Sequence, residues 1–88
     1  MNLYTVKDNL AEEFGDLFEA KNDAVAARKV QNMFRNYPET KTSDFGLYLV
    51  GTFDHANCDV QIKDKPVYLD VILQEPSNGK TIPNGKLS

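Results

Sequence analysis

The chain has 88 residues and a formal charge of −3, with 41% apolar and 26% charged residues. These totals fit one small folded domain and exclude wholesale disorder. No apolar run approaches the roughly 18 residues of a membrane span, nothing at the N-terminus reads as a secretory leader, and a lone cysteine, Cys58, excludes an internal disulfide framework and fits a reducing compartment.

Leu3-Tyr4-Thr5-Val6 is aromatic and β-branched and ends at Lys7-Asp8-Asn9, which predicts a first strand. Residues 9–20 show no clean period. Gly15 between Phe14 and Phe18 suggests a structured loop that both phenylalanines anchor on the core. A helix follows: Asn22 is a suitable N-cap, Asp23 sits favourably in the first turn, and Ala24 to Arg35 contains no breaker. Ala26, Val30, Met33, Phe34 and Tyr37 fall on one apolar stripe. Arg28, Gln31, Asn32 and Arg35 occupy much of the other side, with the two arginines pointing in nearly the same direction. Pro38 stops the helix, and Thr40 to Ser43 is a polar connection.

Phe45 to Phe53 predicts a second strand, with Phe45, Leu47, Leu49 and Phe53 on one face and Tyr48, Val50 and Thr52 on the other. Apolar residues on both faces imply cover on both sides, by the helix and by something else, for which another copy is one candidate in so short a chain. Asp54 to Asn57 reads as a turn, with Asn57 the candidate for positive φ. Val60 to Lys63 returns as a strand, Asp64-Lys65-Pro66 interrupts it, and Val67 to Leu73 resumes with Val67, Leu69, Val71 and Leu73 on one face. Gln74 to Ser88 holds two prolines, two glycines and a repeated Asn-Gly-Lys, a composition that predicts a mobile tail. The expected fold is therefore α+β: a small antiparallel or mixed sheet in the order β-loop-α-β-β, one helix on a face, a single domain over 1–73 and a tail over 74–88. Whether the first strand neighbours the second or the third is left open.

Charge is unevenly spread. Residues 1–20 carry −4, residues 21–41 carry +3 and residues 42–88 carry −2. A local cationic patch can hold an anion on an acidic molecule, because screening removes distant charges beyond about 8–10 Å. Arg28, Lys29, Arg35 and Lys41 supply cations for phosphates, and Tyr4, Tyr48 and Tyr68 are candidates for stacking on bases. The plain alternative is that the cations solvate an amphipathic helix and Tyr48 packs in an interface.

Other constellations lead nowhere. Glu12, Glu13, Asp16 and Glu19 read as solvated surface. Asp54, His55, Cys58 and Asp59 offer only two Cys/His ligands, too few for a structural zinc site, and lack a partnered third group for nucleophilic catalysis. Gly79-Lys80-Thr81 lacks the earlier glycine of a phosphate-binding loop, since Gln74 stands there.

Three ordered pieces carry a resemblance. They are Phe14-Gly15-x-x-Phe18 with Ala20, then Asn22-Asp23-Ala24-Val25-Ala26-Ala27-Arg28, then Asp44-Phe45-x-Leu47-Tyr48-x-x-Gly51-x-Phe53-Asp54. From about Leu3 to Asp54 the chain resembles the small nonstructural protein of gokushovirus-type microviruses, which are single-stranded DNA phages. It departs from relatives in having Asp16-Leu17 where a proline is common, His55-Ala56-Asn57 where a glycine is common, and no shared pattern from Val67 onward.

The resemblance implies a noncatalytic protein without cofactor or metal, in the host bacterial cytoplasm, that binds single-stranded DNA nonspecifically during genome replication or packaging. Its expected contacts are Arg28, Lys29, Arg35, Lys41 and Tyr48. A homodimer is expected, with a replication or capsid-assembly protein as a further partner and no membrane. The alternative is a dimeric interaction module that docks on such a protein without touching DNA.

Overall fold

A computed structural model describes residues 1–71; the expected tail over 74–88 lies outside the described residues. The β-branched and aromatic start of the chain forms β1 (Asn2–Asp8). It is followed by two short strands, β2 (Glu13–Phe14) and β3 (Phe18–Ala20), and then by helix α1 (Asp23–Phe34). A short 3-10 turn at Thr42–Asp44 leads into β4 (Phe45–Asp54), and β5 (Asp59–Leu69) returns from it.

All strand pairs are antiparallel, which closes the question of a mixed sheet. β1 lies inside the sheet, with β4 along one side and both β2 and β3 along the other; β5 forms the far edge beyond β4. The question of where the first strand sits is thus answered: it pairs with β4, from Asn2 opposite Thr52 to Asp8 opposite Phe45.

The segment expected as a loop over 9–20 is in part an edge strand. Lys7 faces Phe14 and Tyr4 faces Phe18, while residues 15–17 bow out between. Gly15 ties the bow down, its N–H donating to the Val6 carbonyl at 2.8 Å and its own carbonyl accepting from the buried Thr5 Oγ1 at 2.9 Å.

The helix is built as its sequence requires. Asn22 Oδ1 accepts from the Val25 N–H at 2.9 Å, satisfying one of the free donors of the first turn. Ala26, Val30 and Phe34 are buried against Tyr4, Ala20 and Leu47, with Val6, Phe18, Phe45, Leu49 and Leu69 packed around them. The stripe is narrower than expected at its C-terminal end. Met33, inside the last turn, stays exposed, and Tyr37 falls beyond the helix end at Phe34 and is exposed too.

Inward positions on β1 and β4 are Tyr4, Val6, Phe45, Leu47 and Leu49, all packed toward the helix. α1 covers one face of β4, and among the described residues no helix or strand lies over the other. The facing pattern also breaks at Val50. Leu49 and Gly51 pair with the adjacent residues Tyr4 and Leu3, and with Val67 and Ile62 on the other side. Val50 is therefore an extra residue, and residues 63–66 of β5 bow out beside it. This bulge moves Phe53 off the helix face, and its ring stacks edge-on against His55 instead. In the β4–β5 turn the positive φ falls on Cys58, at 56°, not on the expected Asn57. Asp54 organises that turn by accepting from the Ala56 N–H and from Asn57 Nδ2, each at 2.9 Å, and these bonds hold its carboxyl below the usual range.

Candidate nucleic-acid interface

Alternation along β1 sends Tyr4 and Val6 to the helix and Thr5 and Lys7 to the opposite face, open toward Lys7 but closed over Thr5, which is buried under Gly15. Register then decides which side chains join them. Lys7 is opposite Phe14 and Gly46, Thr5 is opposite Tyr48, and Tyr48 is opposite Tyr68. Three aromatic rings from β2, β4 and β5 thus form a row on the open face. Phe14 meets Tyr48 edge to face at 5.2 Å and 82°, and Tyr48 meets Tyr68 at 5.5 Å and 62°. Both ends of the row reach solvent, with Phe14 at 48% and Tyr68 at 57% exposure. The Lys7 ammonium sits 5.4 Å from the centroid of the Phe14 ring, a cation–π contact. Gly46 makes room for the row, since a Cβ there would stand 3.2 Å from ring carbons of both Tyr48 and Tyr68.

The expected site residues do not gather on one surface. Arg28 and Arg35 are exposed on the side of α1 turned away from Ala26, Val30 and Phe34, and Lys41 is exposed in the connection after it. Among the described residues, no arginine or lysine lies within ion-pairing distance of a carboxylate. Lys29 points elsewhere, donating to the Glu19 carbonyl at 2.8 Å across the end of the sheet. It lines a cavity of about 480 Å³ between α1 and the 13–18 segment, together with Asp8, Glu13 and Asp16. Tyr48, by contrast, lies on the opposite face of the sheet from the helix.

Tyr4 is excluded as a stacking residue. Its side chain is fully buried and its hydroxyl donates to Asp23 Oδ1 at 2.7 Å. Burial first, and that bond second, raise the pKa of its phenol. Phe14 was expected to anchor on the core, and only Phe18 does so, stacking on Tyr4 with ring centroids 5.8 Å apart. Phe14 and Lys7 are the members of the aromatic row that sequence reasoning missed. The alternation Leu3, Thr5, Lys7 is a signal for the lysine, but nothing local marks Phe14 as the partner of Lys7.

The turn holding Asp54, His55, Cys58 and Asp59 gathers no metal site, and no cluster of three or more metal-binding side chains occurs among the described residues. His55 instead pairs with Glu19 through Nε2 and Oε1, and Cys58 is free and exposed. No helix among the described residues is long and apolar enough to cross a membrane.

Residues 1–74 match the family model described as phage ORF5 protein. The chain belongs to that family. The match spans every described element, so the open aromatic face and the helix both lie within the ORF5 region. No curated protein and no solved structure matches the chain at a significant level.

Proposed function

We propose that this ORF5 protein is the small nonstructural protein of a gokushovirus-type microvirus and that it holds single-stranded DNA nonspecifically, without catalysis, in the host cytoplasm. The observation that supports the reading is the row Phe14–Tyr48–Tyr68 on the uncovered face of the sheet. Nonspecific single-strand binding combines aromatic faces, on which any base can stack, with cations that track phosphates. Lys7 supplies a cation at one end of the row. Lys65, in the exposed bow before Val67 and Tyr68, supplies another. The principal contact in this reading is the sheet face, with Arg28, Arg35 and Lys41 on the far side as a secondary patch.

The test is titration of a labelled oligothymidine at two salt concentrations. Binding at low salt that weakens as salt rises, and weakens again in Tyr68→Ala, is the expected result. Absence of binding at low salt, or affinity indifferent to salt, overturns the reading. The second reading, a module docking on a replication or capsid-assembly protein, draws on the exposed Val60 and Ile62 of β5. It is favoured if the oligonucleotide does not bind.

A further inference from the structure

We infer that the chain associates with a second copy of itself through the β5 edge, Asp59–Lys63 of one protomer pairing antiparallel with the same segment of its partner about a two-fold axis at Gln61. This goes beyond the DNA reading and stands or falls without it.

Among the described residues β5 is an edge strand, and every residue from Asp59 to Tyr68 is exposed. An unpaired edge with large apolar side chains is a template for another strand, and here Val60 is 48% and Ile62 57% exposed. The sequence Asp59-Val60-Gln61-Ile62-Lys63 is complementary to its own reverse. Antiparallel pairing centred on Gln61 sets Asp59 against Lys63 of the partner subunit, Val60 against Ile62 of the partner subunit, and Gln61 against its own copy. Directly opposed residues share a face, so both apolar pairs meet on the open side and both charge pairs on the other. The bond from Gln61 Nε2 to Asp59 Oδ2, at 3.0 Å, already aligns the polar row.

The bow opens at Lys63, the last residue that can face a partner, and Lys65 and Pro66 beyond it end the usable edge. That limits the pairing to five residues and fixes one register, giving a closed pair in place of a growing fibre. So short an interface lies at the small end of protein contacts, below about 1,200 Å², and gives a dimer that dissociates on dilution. Pairing would also join the two sheets edge to edge and place two aromatic rows on one continuous face.

The test is sedimentation equilibrium of the full chain without DNA. The expected result is a mass that doubles with concentration. Asp59→Lys and Lys63→Asp each set like charges opposite one another, so each lowers the association constant roughly tenfold, and the double variant restores it. In a Cys58→Ser background, Gln61→Cys is expected to cross-link on oxidation, since its Cα and that of its copy would lie about 4.5–5.5 Å apart. Val60→Cys, set against Ile62 of the partner subunit, is expected to cross-link poorly. A chain monomeric at all concentrations overturns the inference. So does association indifferent to the charge reversals, or lost in Tyr68→Ala while Asp59→Lys retains it.

Discussion

The Tyr4 hydroxyl, buried beneath the helix, donates to the Asp23 carboxylate in the first turn of α1 at 2.7 Å, and Asn2 Nδ2 donates to the same hydroxyl at 3.0 Å. This chain of bonds links β1 to the start of the helix, where a carboxylate also offsets the unpaired N–H dipoles. Tyr4→Phe keeps the ring and removes the link, leaving Asn2 without its acceptor. The expected loss is about 1–2 kcal/mol in urea unfolding. A midpoint equal to that of the unchanged protein would refute it.

The same phenol makes the fold's stability depend on alkaline pH. Its pKa is raised above the ordinary 10.0 by burial and by donation to Asp23. Between the unfolded and folded values, the folded chain keeps a proton that the unfolded chain has lost. Stability from this group is therefore complete below about pH 10 and falls as pH climbs through the folded pKa. Tyrosinate absorbance and circular dichroism followed together are expected to show the Tyr4 phenol ionising as the fold is lost, a step absent in Tyr4→Phe. The same alkaline transition in Tyr4→Phe and in the unchanged protein would contradict this.

Gly51 lies on β4 opposite Ile62, close against the β5 backbone. A Cβ there would stand 2.0 Å from the Gln61 carbonyl oxygen and 3.0 Å from its carbon, both backbone atoms that cannot rotate aside. Gly51→Ala is expected to destabilise the protein by about 3 kcal/mol, seen as an earlier thermal midpoint and faster exchange of β5 amides. Gly46→Ala meets only ring edges at 3.2 Å, so it is expected to fold and to displace Tyr48 and Tyr68.

Much of this was legible in the sequence because the signals were local. Asn22, Asp23 and the spacing Ala26, Val30, Phe34 specify the helix and its buried side without reference to anything distant. The alternation of Phe45, Leu47 and Leu49 marks the inner face of β4. Legibility ended where pairing between distant segments decides the outcome. Glu13–Phe14 is a strand only because Lys7 and Asp8 offer an edge, and two residues carry no period of their own. Val50 looks like any strand residue, and only the register against β1 makes it a bulge and turns Phe53 away. The five expected site residues were chosen by charge and ring type. Neither property says on which side of a sheet a residue falls.

The open face and the helix give different binding phenotypes. Tyr48→Ala and Tyr68→Ala are each expected to weaken oligonucleotide binding by about 1–3 kcal/mol, on the order of 5- to 150-fold, while folding is retained. Lys7→Ala is expected to flatten the salt dependence by about one phosphate contact, a slope change near 0.7 for a single strand. The pair Arg28→Ala and Arg35→Ala is expected to change affinity less than either tyrosine. A larger effect from the arginines would move the principal contact back to the helix.

Because β1 is an interior strand and yet the earliest to be synthesised, its neighbour β4 reaches it only after some forty further residues have been added. Until then Tyr4 and Val6 have only the short β2 and β3 segments and α1 to shelter them. Sheet closure must wait for that late arrival, and contacts so far apart along the chain slow the search. A ribosome-stalled nascent chain ending before Phe45 would therefore carry a helix seeking a surface that does not yet exist.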